Sequence, residues 1–238
     1  MFIRADGVLN MASSVLKMKP AAEGDKFELF AARYGRLVIA VTAMLVSVAV
    51  AAIVFVSVRA RRIDDGLSQV YEITYRLQAD AKNLSGAELD ARRAAAIEEL
   101  SALTSATGIV GARANMLAAD LSYQNKKYAE AVSYWERVVA LQPKSYTAQL
   151  ALYNTAAACE SLGENQKAAD LYKQVSEAKD FRLASHAGFN AGRIHEALDD
   201  YAGAVELYNK ILNDNPFDTW AELGHSRVIY IEANHLSE

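Results

Sequence analysis

Cysteine is nearly absent from this chain: Cys159 is the one example among 238 residues. No internal disulfide can form, and thiol usage gives no guide to redox compartment. Proline is almost as scarce, at three residues, and glycine contributes only twelve. Strand-like alternation of β-branched and polar residues is nearly missing. With half the residues apolar and Ala, Leu and Glu frequent, these shortages point to a mostly helical chain. Catalytic signatures are missing too. His195-Glu196 begins an H-E-x-x-H pattern, but Asp199 stands where the second histidine belongs, so no zinc pair is formed. Ser, Cys and His are scattered with no nucleophile elbow and no glycine-rich phosphate loop. The sequence predicts no catalytic, cofactor-binding or metal-binding residue, and no enzyme.

Charge is missing from one long stretch, Leu37 to Val58. Its 22 residues would span roughly 33 Å as a helix, enough to cross a hydrocarbon core of about 30 Å. In lipid every backbone amide must bond within its own segment, so the solvent imposes the helix on a Val- and Ala-rich run. A cleaved signal peptide fits less well. The apolar region is too long, starts far from Met1 and ends in SVRARR instead of a small-x-small cleavage site. We therefore expect a single transmembrane helix over residues 37–58, in contact with the bilayer. Ala43, Ser47 and Ala51 recur every four positions, a spacing that suits packing on another membrane helix and that an Ala-rich span also supplies by chance.

The span divides charge by sign. From Ile63 to Glu238 there are 16 Lys and Arg against 25 Asp and Glu, whereas residues 1–62 hold nine basic and four acidic groups. So acidic a domain argues against nucleic acid as a ligand. Basic residues near the span number five before it and four after it, which leans only slightly toward a cytoplasmic N-terminus. Residues 1–36 form a basic arm. Up to residue 24 it shows no period and is expected to be disordered. Thereafter Phe27, Phe30, Ala31 and Tyr34 make an apolar stripe flanked by Lys26, Arg33 and Arg36, as in an interfacial lead-in or the first turns of the anchor helix.

Residues 63–107 read as a helical hairpin. Asp64 and Asp65 are placed to cap a helix carrying Leu67, Val70, Tyr71, Thr74 and Leu77 on one face, which either continues the membrane helix or breaks from it at Gly66. Ser85 and Glu88 form a capping-box pattern that starts a second helix, Gly86 to about Thr104.

Past Gly108 the chain repeats. NKKYAEAVSYWERVVALQP, GENQKAADLYKQV and DDYAGAVELYNKILNDNP place alanines at 131, 168 and 204, 37 and then 36 residues apart. An aromatic residue (Trp135, Tyr172, Tyr208) follows four positions later in each segment, and Pro143 and Pro216 stop two of the helices. The small residue lets paired helices approach, and the aromatic fills the groove beside it. This pattern resembles the tetratricopeptide repeat, whose signature ends in A-x3-[FYW]-x2-[AVI]-x4-P. Asp180 replaces the third proline, and the first-helix signature survives only as Ala191-Gly192. The resemblance implies an all-α solenoid of three repeats over residues 108–218, closed by a capping helix over 219–238. It also places His195 where a first helix packs on the second.

In such stacks the second, fifth, ninth and twelfth residues of each first helix line a concave face that binds protein or extended peptide segments. Counting back from the alanines selects Arg113, Met116, Asp120 and Tyr123, then Leu150, Tyr153, Ala157 and Glu160, then His186, Phe189, Arg193 and Glu196. Asn154 and Asn190 add matched amides that suit a peptide backbone. A carboxylate clamp is not expected, because the paired Lys and Asn it needs are missing. The whole layout is similar to YfgM-like single-pass inner-membrane proteins that accompany the secretory translocon and its periplasmic chaperones. That resemblance implies a cytoplasmic arm, an exported repeat domain and an adaptor role; a structural subunit holding a membrane complex together is the alternative.

Overall fold

An uncharged run with no proline has nothing to stop a helix, and α1 continues unbroken from Gly24 to Gln78. The structure, a computed structural model, describes residues 24–236. Residues 1–23, nearly all of the stretch expected to be disordered, lie outside them, as do the side chains of Phe27 and Ala31. Contacts divide the chain into two units after Arg61. In the first, α1 is long and apolar enough to cross a membrane, and its apolar side chains are exposed. Phe30 and Tyr34 bring their rings to 5.2 Å, with the Arg33 guanidinium 5.6 Å from the Tyr34 ring.

The second unit begins with the last turns of α1. Asp64 and Asp65 do not cap a new helix: they sit exposed in mid-helix, and Gly66 is no break. Gly66 serves close approach instead, since a Cβ there would come within 2.7 Å of Val110 Cγ1. After a turn through Ala81–Asn83, α2 runs from Gly86 to Thr104. The capping box forms: the Ser85 amide donates to Glu88 Oε2 at 2.8 Å, and the Glu88 amide reaches back to Ser85 Oγ at 3.4 Å. Arg76 pairs with Glu99 while Arg92 donates to the Ala79 carbonyl, so the end of α1 and α2 run antiparallel. Val70 and Ile73 of α1 share a buried cluster with Ile97 and Leu100 of α2.

Three helix pairs follow: α3 (Gly108–Gln124) with α4 (Tyr128–Leu141), α5 (Tyr146–Ser161) with α6 (Asn165–Ser176), and α7 (Ala184–Ala197) with α8 (Tyr201–Asp214). Ala131, Ala168 and Ala204 are wholly buried, and Trp135, Tyr172 and Tyr208 fill the space beside them. Each turn inside a pair closes through one left-handed residue, Lys126 (φ 60°), Gly163 (φ 78°) or Asp199 (φ 60°). These three keep the spacing of the alanines, so the repeat extends to the backbone. Asp180, at the missing proline, is also left-handed, with φ 63°. Gly192 is required by its neighbour, because a Cβ there would lie 2.5 Å from Tyr208 Cε1.

Each second helix also packs on the first helix of the next pair. The stack ends in α9 (Thr219–Asn234), whose Asp218 cap accepts from the Trp220 amide at 2.8 Å and whose Ala221, Val228 and Ile231 are buried on α8. Cys159 is wholly buried in the largest cluster, and burial pushes its thiol pKa up.

Candidate protein-binding face

Residues three or four apart share one side of a helix, so the candidates line up in columns across α3, α5 and α7. Arg113, Leu150 and His186 form one column; Met116, Tyr153 and Phe189 the next; then Asp120, Ala157 and Arg193; then Tyr123, Glu160 and Glu196. Asn154 and Asn190 occupy equivalent places, with Leu117 preceding them.

Between the second and third repeats these columns are joined by polar contacts. Arg193 donates to Glu160 Oε2 at 2.8 Å, and this hydrogen bond chiefly holds the guanidinium pKa above its usual value. Asn190 is buried and donates its amide to Tyr153 Oη at 3.3 Å. The Tyr153 hydroxyl lies 2.9 Å from His186 Nδ1. Burial lowers the His186 pKa, which favours the uncharged ring. One N–H of the Asn190 amide is thus used within the fold.

Between the third repeat and α9 the ladder continues. Arg227 grips both oxygens of Glu196, with Nε 3.1 Å from Oε1, and Tyr208 donates to the same oxygen at 2.6 Å. Burial alone would raise the Glu196 pKa; the Arg227 and Tyr208 hydrogen bonds outweigh it and leave the carboxyl lowered. Trp220 stacks on His186 at 3.9 Å and packs on Phe189 at 5.3 Å. Sequence reasoning missed Trp220 and Arg227, although their seven-residue spacing places both on one side of α9.

Between the first and second repeats the ladder stops. Ala157 stands where Arg193 stands one repeat later, and Met116 where Tyr153 stands. What remains is a cleft of about 310 Å³ lined by Asp120, Tyr123, Gln124, Trp135, Asn154 and Ala157. Burial pushes the Asp120 pKa up to about 6, opposed by the nearby Trp135 indole. That indole N–H is buried and, among the described residues, meets no acceptor in hydrogen-bond geometry; it lies near Asp120 without a formed bond. Tyr123 packs on Trp135 at 5.8 Å and edge-on against Tyr128 at 5.2 Å. Arg113 is exposed.

His195 is half-buried at the end of α7, its Nδ1 2.7 Å from Asp200 Oδ2, so it fixes the turn into α8. Among the described residues no group of three or more His, Cys, Asp or Glu side chains is arranged to hold a metal ion.

The Tetratricopeptide repeat family model matches residues 87–146, 116–181 and 160–219, together more than half of the chain. A TPR repeat-containing protein of Treponema pallidum (strain Nichols) is 29% identical over 155 residues, 64% of this chain and 65% of the relative. The chain thus spans just under two thirds of that relative's length. Among solved structures, a tetratricopeptide repeat protein from Parabacteroides merdae ATCC 43184 superposes with a TM-score of 0.53 at 20% identity, over 70% of this chain and 61% of that one. The nearly identical TPR-like repeats named for a kinesin light chain of Podosopora anserina give a TM-score of 0.52 at 16% identity, over 71% and 87%. At these identities the structural likeness speaks to the fold alone.

Proposed function

Because the chain belongs to the tetratricopeptide repeat family, whose modules mediate protein–protein interaction, we propose that it is a membrane-tethered binding module of the bacterial envelope that takes extended protein segments along its first-helix face. The observation that carries this reading is the placement of aromatic and hydrogen-bonding side chains in columns across three successive first helices, so that one extended segment would meet equivalent positions in turn. The uncharged, exposed run of α1 supports the tether. The basic arm and the resemblance to translocon-associated inner-membrane proteins support a cytoplasmic N-terminus, an exported repeat domain and an adaptor role beside the secretion and chaperone machinery. A scaffold subunit is the second reading, favoured by the exposed Leu223, Ile229 and Tyr230 on the terminal helix α9.

Crosslinking on intact membranes separates the two. An adaptor gives many transient exported clients, lost when Tyr153→Ala and Phe189→Ala are combined; a scaffold gives one stoichiometric partner that the double variant retains. Circular dichroism must show the variant's helices intact. A reporter active only outside the cytoplasm, fused after Glu238, is expected to be active. Activity of a cytoplasm-dependent reporter alone would reverse the orientation.

A further inference from the structure

We propose that the cleft between the first and second repeats is a pocket for a cationic side chain, lysine or arginine, of the bound segment. The inference rests on the binding face proposed above and names what one part of it selects.

At the other two junctions a carboxylate is paired with a guanidinium. Glu160 is satisfied by Arg193 and Glu196 by Arg227, each guanidinium coming from the next element in the stack. Asp120 has no such partner. The position equivalent to Glu160 and Glu196 holds Tyr123; Asp120 stands about one turn before it and shares the cleft with Ala157, and no Lys or Arg lines that cleft. A carboxylate kept from water without a counter-ion is costly, and an incoming cation would remove that cost. A carboxylate ligand would add to it, and an aliphatic one would leave it unchanged.

The remaining walls suit the same guest. The half-buried Tyr123 offers an aromatic face, which attracts a cation within about 6 Å of the ring centre and covers the aliphatic stem of a lysine or arginine, and the buried Trp135 closes the lining. Asn154 and Gln124 supply amide oxygens beside the carboxylate. The position equivalent to Tyr153 holds Met116, which has no hydroxyl for the Asn154 amide, whereas the equivalent Asn190 donates one N–H to Tyr153. At about 310 Å³ the cleft lies at the small end of ligand pockets, suited to one side chain. An excess of Asp and Glu over the domain, 25 against 16 Lys and Arg from Ile63 onward, would draw a basic segment toward it.

The chain has two tryptophans, Trp135 at the cleft and Trp220 at the far end of the face. Their indole N–H resonances in the full-length ¹⁵N-labelled chain in detergent micelles report on the two places separately. N-acetyl-lysine methylamide and N-acetyl-arginine methylamide are expected to move the Trp135 resonance with an affinity at least roughly tenfold above that of N-acetyl-norleucine methylamide. Asp120→Asn should erase that preference. Ala157→Arg, which places a guanidinium in the cleft, should abolish the response to all three. Equal responses to norleucine and lysine would overturn cation selection while leaving the binding face in place. No response of Trp135 to any probe would overturn the pocket, and the crosslinking of the Tyr153 and Phe189 double variant would decide separately on the face.

Discussion

Arg193 of the third repeat lies 2.8 Å from Glu160 of the second, and the residue one repeat before Arg193 is Ala157, which has nothing to offer Asp120. By repeat equivalence an arginine at 157 would face Tyr123, with Asp120 as the acidic residue of the same cleft. Ala157→Arg is expected to raise the melting temperature slightly, since a partly exposed ion pair contributes about 0.2–1 kcal/mol. Thermal unfolding followed by circular dichroism checks this; a lowered midpoint would show that the cleft cannot house the side chain.

Asp120 should make stability fall as pH rises. Its folded pKa of about 6 lies above the ordinary value of 3.8, so between the two the folded state holds the proton more tightly than the unfolded chain. The penalty is absent below the ordinary value and complete above the raised one. Asp120→Asn is therefore expected to stabilise the domain by on the order of 1–3 kcal/mol at pH 7.5 and to change it little in acid. Urea titrations at both pH values test this, and equal gains at both would rule out the ionisation as the cause.

Lys126 holds a left-handed backbone where the second repeat has Gly163. A side chain in that conformation costs roughly 1–2 kcal/mol, partly offset because glycine leaves the unfolded chain freer. Lys126→Gly should stabilise by about 1 kcal/mol, read as a shift in the denaturant midpoint. A destabilisation would mean that the Lys126 side chain makes contacts worth more than the strain.

Gly192 is predicted to tolerate nothing larger. Gly192→Ala would drive a methyl group into the wholly buried Tyr208 ring, and overpacking of this kind costs typically about 1–3 kcal/mol. Tyr208 also donates to Glu196, so displacement of the ring should loosen the Arg227 contact at α9. Hydrogen exchange along α9 should accelerate in the variant. Unchanged exchange would separate the ring from the terminal coupling.

The parts of this fold that were legible in the sequence are those where one residue type has one physical use. Alanines with aromatics four residues on announced the helix crossings, and Ser85 with Glu88 announced the start of α2, because few other arrangements need those residues at those offsets. Gly66 left two readings open, since a glycine after two aspartates reads equally as a helix boundary and as a point of close approach; only Val110 on a distant helix distinguishes them. The candidate columns could be counted from the repeat. Which columns touch across a junction depends on the register between neighbouring helices, and that is why the hydrogen bond from Asn190 to Tyr153 was hidden. The cleft was hidden for a further reason: it consists of what Ala157 and Met116 lack.

The burial of Cys159 reaches beyond packing. A thiol pressed into the core, with its pKa raised, presents no thiolate to an oxidant or to a foreign disulfide. The chain's chemistry would be the same in a reducing cytosol as in an oxidising periplasm, so its associations are expected to be reversible on either side of a membrane. The same silence leaves the surface clear for engineering. A cysteine introduced at Phe217, which is 97% exposed, would be the sole reactive thiol, and a dye or crosslinker attached there would report from one known position.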